Sequence, residues 1–295
     1  MISAKVICDS VSPAGKRLTT FEVTAHRFIL AEINTHRVLS RNYRSSRAVP
    51  SEKLIEEVRT NPAMPVFWGK NQSGMQAAEE LTGAELEAAQ KVWRLTALTV
   101  AQDAEALART GLHKQIANRV LEPFLWVHGV ITATEWDNFF GLRLHKDAQP
   151  EFRALARAMW GAREASTPRE LKMGQWHLPY IEGYAPFVAP GHDIIKRSVA
   201  RCARVSYKPF DADRPSTLEE DLRLYDRLLG AQPVHASPAE HQAVPDKGSD
   251  VLSADEKRGI WTQWGYPEQH GNFVGWRQYR KMIEGESCAP MPSGE

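Results

Sequence analysis

The pattern of hydrophobic and polar positions changes period along the chain. "KVICDSV" (5–11) and "RLTTFEVTA" (17–25) read as two strands joined by the turn "SPAGK". In "HRFILAEINTHRVLSR" the spacing of Phe28, Ile29, Ile33 and Val38 predicts a helix. "RNYRSSRAVPS" then loses periodicity and reads as a loop. "SEKLIEEVRT" predicts a short amphipathic helix capped by Ser51, and "NPAMPVFWGKNQSGMQ" reads as irregular. "LTGAELEAAQKVWRLTALTVAQDAEALARTG" predicts the clearest helix, with Thr82 and Glu85 spaced as a capping box and Gly111 as its stop. "LHKQIANRVLEPFLWVHGVITATEWDNFFGLRLH" is apolar enough to read as a long helical stretch interrupted near Pro123. "AQPEFRALARAMWGAREAS" predicts another helix, and residues 167–197 read as a connecting segment. After "SVARCARVSY" come the amphipathic helix "LEEDLRLYDRLLG", the turn "QPVHASPAEHQAVP" and the closing stretch "GNFVGWRQYRKMI". "EGESCAPMPSGE" reads as a frayed tail. The pattern is α+β with helices dominating, and it contains no internal repeat.

Composition narrows the class. A chain of 295 residues, 42% hydrophobic and 25% charged, can bury a sizeable core as one large domain or two small ones. A net charge of +1 excludes polyanion binding by bulk electrostatics, so anion recognition has to be local. Cys8, Cys202 and Cys288 form no CxxC pair and are odd in number, which points to a reducing compartment without structural disulfides or a cysteine zinc site. Cys8 and Cys202 read as buried, inert thiols. No apolar run spans a bilayer and "MISAKVICDS" lacks a signal-peptide core, so the expectation is a cytoplasmic protein.

The chemistry concentrates in "NTHRVLSRNYRSSRAVP" (34–50), with four arginines, three serines and a histidine. Arginine forks suit phosphate and carboxylate oxygens, and serines in a non-periodic loop offer hydroxyls and free backbone N–H groups. Spacing alone leaves two readings open, an anion grip and a solvated basic face. Nucleic-acid binding fits less well, because no basic helix or stripe of stacking aromatics accompanies the loop. "HASPAEH" (235–241) carries two histidines but no third metal ligand nearby in sequence, so no metal is expected. Trp276, Tyr279 and Arg280 could stack on a ring, with core packing the better reading for the aromatics.

This stretch resembles the signature of the flavin-dependent thymidylate synthases, which runs Arg-His-Arg, two residues, Ser, one residue, Asn-Glu, one residue, Ser, one residue, Arg. Here the same spacing gives Thr35-His36-Arg37, Ser40, Asn42-Tyr43, Ser45 and Arg47, with Thr35 replacing arginine and Tyr43 replacing glutamate. "WDNFFGLRLHKDAQPEF" resembles a second family segment through Asn138, Leu142, Arg143, Ala148, Gln149 and Glu151. "RVLEP" (119–123) resembles the family's Arg-x-x-Leu-Pro, with one residue inserted. The block that opens the family's usual sequence, Ala-Arg-Val-Ser-Phe, an amphipathic helix and His-x-Thr-Pro-Phe-Glu-His, is matched here by "CARVSY", "LRLYDRLLG" and "HASPAEH" near the C-terminal end. That order implies a circular permutation. The resemblance covers residues 15–50, 112–160 and 198–243.

The resemblance implies an antiparallel sheet packed with long helices, in one catalytic domain over residues 1–285. Residues 1–160 would carry the signature and central helices, 198–245 the permuted block and 286–295 a flexible tail. It further implies that FAD, reduced by NADPH, supports one-carbon transfer from 5,10-methylenetetrahydrofolate to C5 of dUMP, giving dTMP. The family's active sites form at the interfaces of homotetramers. Carried over, Arg143 is the catalytic residue against the uracil ring. Glu32, Ser45, Ser46, Arg47 and Arg119 hold the nucleotide with it, and His36, Arg37, Asn138, Ser206, His235, Ser237 and Glu240 contact FAD. Thr35, Tyr43 and Glu32, which stands where the family commonly has glutamine, depart from the pattern. Such changes open the alternative of a 5-hydroxymethyl-dUMP synthase. From other classes, a nucleic-acid-binding protein using the arginine loop and an inactive FAD-binding homologue remain.

Overall fold

The computed structural model describes residues 1–183, 185–207, 214–231, 233–252 and 260–287, without the side chains of residues 206, 207, 252, 260 and 261. The two expected strands are β1 (Ser3–Val11) and β2 (Arg17–His26), an antiparallel hairpin closed at Gly15, whose φ of 73° suits glycine. The next stretch is helical only briefly, in a 3₁₀ turn at Arg27–Ile29 and the five-residue helix α1 (Leu30–Asn34). Part of the expected loop is then the strand β3 (Ser40–Tyr43).

Helix α2 (Ser51–Thr60) follows, with Ser51 inside it and Pro50 at the N-cap, so the expected serine cap is not made. Helix α3 (Gly83–Arg109) is the long one, but the Thr82 hydroxyl caps no backbone N–H and the expected capping box is absent. After the short α4 (Lys114–Ala117) and a 3₁₀ segment through Phe124 comes the main departure. Trp126–Ala133 is not helix but strand β4. It carries Trp126, Val127, Val130, Ile131 and Thr132, which favour strands, and nearly all its residues are buried, on both faces of the sheet. That burial removes the alternation a half-buried strand would display.

The chain continues through α5 (Asp137–Arg143), α6 (Pro150–Glu164) and the two-residue β5 (Arg169–Glu170). Its C-terminal part holds α7 (Asp193–Tyr207), α8 (Leu218–Leu229) and two small two-stranded antiparallel sheets, β6 (Ala243–Pro245) with β9 (Trp276–Gln278) and β7 (Gly248–Leu252) with β8 (Ile260–Trp264). Residues 288–295, most of the expected tail and with it Cys288, lie outside the described residues.

The central sheet runs β3-β4-β2-β1-β5, antiparallel except between β1 and β5. Its two faces differ. On one, Phe21, Val23, Ala25, Val127, Ile131 and Ala133 pack on Trp136, Phe139 and Phe140 of α5 and its flank, and on Phe152, Leu155 and Met159 of α6. The other presents Ser10, Thr20, Thr132, Ser40 and Asn42 to the C-terminal part, whose own core joins Trp176 and Leu178 to α7 and α8. A hydrogen-bonded chain crosses this face. Ser10 Oγ meets His177 Nδ1 at 2.9 Å, His177 Nε2 meets Thr20 Oγ1 at 2.8 Å, Thr20 meets Thr132 at 2.8 Å, and Thr132 meets His241 Nδ1 at 2.8 Å. Burial keeps both imidazoles neutral, with pKa values down to about 3. Asn42 Nδ2 donates to the Cys202 carbonyl at 2.8 Å, fastening α7 to β3.

Burial pushes the Cys8 thiol up to about 12 and raises that of Cys202 as well, which fits inert thiols. Trp276 and Tyr279 are core residues, as their preferred reading had them. Among the described residues, no helix is long and apolar enough to cross a membrane.

Candidate active site

The start of β3 draws together three separate segments. Arg41 donates through Nη1 to the carbonyls of Ile33 (3.1 Å) and His36 (2.9 Å), closing the end of α1 onto the strand. That turns the buried His36 ring edge-on to Phe139 and Phe152, with its Nε2 accepting from Arg143 Nε at 2.7 Å. A histidine that accepts from a guanidinium is neutral. Burial first, then the charges of Arg143 and Arg41, hold the His36 pKa down. The Arg143 guanidinium lies over the Phe152 ring, 4.7 Å from its centroid. No carboxylate among the described residues pairs with it. On α1, Glu32 keeps a buried carboxylate oxygen, Oε2, without a hydrogen-bond partner.

The other side of this point belongs to the C-terminal part. Gln278 Nε2 donates to Ser40 Oγ at 3.1 Å and to the Glu240 carbonyl at 3.0 Å. The Glu240 carboxylate is ion-paired to Arg280, and burial holds its pKa up against the pull of Arg280, Ser40 and Arg41. Arg41 therefore lies within electrostatic reach of both His36 and Glu240. His235 and Ser237, on the turn leading to Glu240, are exposed, as are Arg37 after α1 and Asn138 on α5. Ser206 lies near the end of α7, and its side chain is outside the described residues.

The loop beyond the other end of β3 forms a second cluster. Ser46 is six positions on from Ser40, so the two lie at most about 20 Å apart. Asn118 Nδ2 clamps the loop by donating to the carbonyls of Ser46 (2.8 Å) and Val49 (3.1 Å). Arg44 pairs with Glu57 at 2.8 Å. The Ser46 hydroxyl donates to Glu122 Oε1 at 2.7 Å, Arg119 Nη1 to the same oxygen at 2.7 Å, and Arg27 Nη2 lies 3.0 Å from it. Burial raises the Glu122 carboxyl, and Ser46, Arg27 and Arg119 more than offset that, leaving it below the usual carboxylate range. Arg47 is exposed and Ser45 half-buried.

The expected site residues thus fall into two groups. His36, Arg143 and Glu240 gather at the start of β3, while Ser45, Ser46, Arg47 and Arg119 gather beyond its end. Sequence reasoning missed Arg27, Arg41 and Glu122. The signal for Glu122 was its place between Arg119 and Pro123, a carboxylate inside an otherwise apolar stretch. A cavity of about 280 Å³, lined by Cys8, Asp9, Ser10, Arg169 and Trp176 among others, holds none of the expected residues. No group of three His, Cys, Asp or Glu residues among those described is placed to hold a metal ion.

Residues 10–169 match the model of a family described as thymidylate synthase complementing protein. No curated protein matches the chain. Among solved structures, it is similar to a UMP/dUMP methylase, PolB, from Streptomyces cacaoi bound with 5-Br UMP. Identity is 16% with a TM-score of 0.44, over 55% of this chain and 88% of that one. It is also similar to the flavin-dependent thymidylate synthase ThyX from Helicobacter pylori complexed with FAD and dUMP. There identity is 21% and the TM-score 0.35, over 50% of this chain and 67% of that one.

Proposed function

The chain belongs to the thymidylate synthase complementing protein family, and from that premise we propose that it is a flavin-dependent enzyme transferring a one-carbon unit from 5,10-methylenetetrahydrofolate to C5 of dUMP, giving dTMP, with NADPH as reductant. Residues 1–285 act as one catalytic domain, in which 198–245 is the block that opens the usual family sequence. Asn42 and Thr132 fasten that block to the sheet despite its late place in the chain. The observation that carries the proposal is Arg143, oriented by a neutral His36 and a ring beneath it, with no carboxylate among the described residues to quench it.

Making C5 of uracil nucleophilic moves negative charge onto a ring carbonyl oxygen. A cation already fixed in place stabilises that charge without reorganising. His36 fixes the Nε side of the guanidinium, which leaves the Nη groups to face the ring oxygen. Glu32, with its unpartnered buried oxygen, suits a ligand N–H or hydroxyl. The residues present fit FAD in part. Arg37, Asn138, His235 and Ser237 offer exposed polar ends for a phosphorylated cofactor, and Ser206 belongs to the same set. Glu240 is already engaged by Arg280 and serves to hold the turn. Bound FAD supplies hydride chemistry that side chains lack. Neither Cys8 nor Cys202 offers a thiolate as an alternative means of activating the pyrimidine.

We infer a cytoplasmic homotetramer with sites completed at subunit interfaces. α3 packs inward through Ala97, Ala101 and Ala104 and leaves Val92, Leu95 and Leu98 exposed. The nucleic-acid reading is weakened because Arg41 and Arg44 are engaged internally. The test begins with the visible spectrum of the purified chain titrated with FAD. The nucleotide product from dUMP, methylenetetrahydrofolate, FAD and NADPH is then weighed. A methyl gain is expected, and a hydroxymethyl gain would assign the 5-hydroxymethyl-dUMP activity instead. Arg143→Ala should lower turnover by about 10²–10³ while flavin uptake persists. Full activity in that variant, or failure to take up flavin at all, would reject the proposal.

A further inference from the structure

Within "RVLEP" (119–123), Glu122 is a carboxylate in an otherwise apolar stretch. A leucine there would be mute. Glu122 instead takes the hydroxyl of Ser46 and the guanidinium groups of Arg119 and Arg27 on one oxygen, Oε1. Three donors converging on a single point are more than a flat carboxylate oxygen accommodates well, and they match the several oxygens of a tetrahedral anion. Arg27 is fixed in place, since its Nη1 also donates to the Arg44 carbonyl at 3.2 Å, and its Nε is buried without a partner. The loop backbone is clamped by Asn118 whatever Glu122 does. The Glu122 side chain is 27% exposed, so its carboxylate can leave toward solvent without disturbing the apolar core.

We propose that Glu122 is an internal stand-in for phosphate. Its carboxylate keeps Ser46, Arg119 and Arg27 assembled in the free protein and is displaced when the phosphate monoester of a nucleotide takes the same donors. This rests on reading residues 45–47 as the nucleotide phosphate loop, and it makes Glu122 the residue that sets how strongly the phosphate counts in binding. A competing internal anion lowers affinity for the nucleotide without touching recognition of the base.

The experiment measures binding of dUMP, deoxyuridine and inorganic phosphate to the full chain by calorimetry, for the wild type, Glu122→Gln, Glu122→Leu and Arg119→Ala. Glutamine keeps the size and the acceptor, and thermal melts confirm that each variant is folded. Both Glu122 variants should bind dUMP about ten-fold more tightly than the wild type, with deoxyuridine unchanged, while Arg119→Ala binds dUMP more weakly. Equal or weaker dUMP binding in folded Glu122→Gln overturns the stand-in role and makes Glu122 a positioning residue. If dUMP and deoxyuridine bind alike to every variant, the phosphate-loop reading falls with it, while the proposed reaction survives if product still forms. If neither ligand binds and no product forms, the nucleotide reading itself fails.

Discussion

The two faces of the central sheet solve the same burial problem by opposite means. One is closed by aromatic and aliphatic packing from α5 and α6. The other is closed by hydroxyls and imidazoles that hydrogen-bond to one another under the C-terminal part. Apolar packing is non-directional and tolerates exchange of similar side chains. The polar chain does not, because each member needs its partner in place. A slip of one residue in β2 would turn Thr20 into the aromatic layer and Phe21 onto the imidazoles, so the polar face fixes the register that the apolar face would only favour.

The largest expected effect separates the faces by pH. His177 and His241 stay neutral in the fold down to about pH 3, whereas unfolded imidazoles take up protons from about pH 6.5 downward. Their folded pKa values are depressed, so stability is full above 6.5 and falls with pH through that window. The loss is about 1.4 kcal/mol per pH unit for each imidazole, or about 3 for the pair. Urea midpoints at pH 7, 6 and 5 should drop accordingly, and constant midpoints would mean that water reaches the polar face. Next, Phe21→Ala empties the apolar face beside Trp136, 5.1 Å away between ring centres, and should cost about 3–5 kcal/mol in chemical denaturation. That cost should not depend on pH. Smallest is Thr132→Val, which keeps the shape but leaves His241 Nδ1 without its bond. It should cost about 1–3 kcal/mol, and a neutral result would show that the chain adds nothing at its middle link.

The same contrast explains what could be read from the sequence. β1, α3, α6 and α8 each have a polar side toward solvent, and β2 alternates apolar and polar residues between two covered faces, so their periods predicted them. β4 has none, so its continuous apolar run imitated a helix. β3 was hidden for a different reason. Its Ser40 and Asn42 look like loop residues until Gln278 and the Cys202 carbonyl, more than 150 positions away, are placed against them. Capping followed the same logic. Thr82 and Glu85 have the right spacing and form no box, while Thr217 and Glu220 form one. In the site, the arginines and serines were legible as types, but their partners were not. That Arg119 and Ser46 meet at Glu122 is a fact of packing between segments 76 residues apart.

Tyr43 also constrains the residue that faces it across the sheet. Its ring lies where a side chain on Gly129 would go. A Cβ built there would fall 2.1 Å from the ring, too close for any atom, and Gly129 pairs directly with Tyr43 across β3 and β4. The two positions therefore behave as one character. With a bulky ring at position 43, position 129 is confined to glycine. Replacing Tyr43 alone would leave a gap over the strand, and enlarging Gly129 alone would expel the ring.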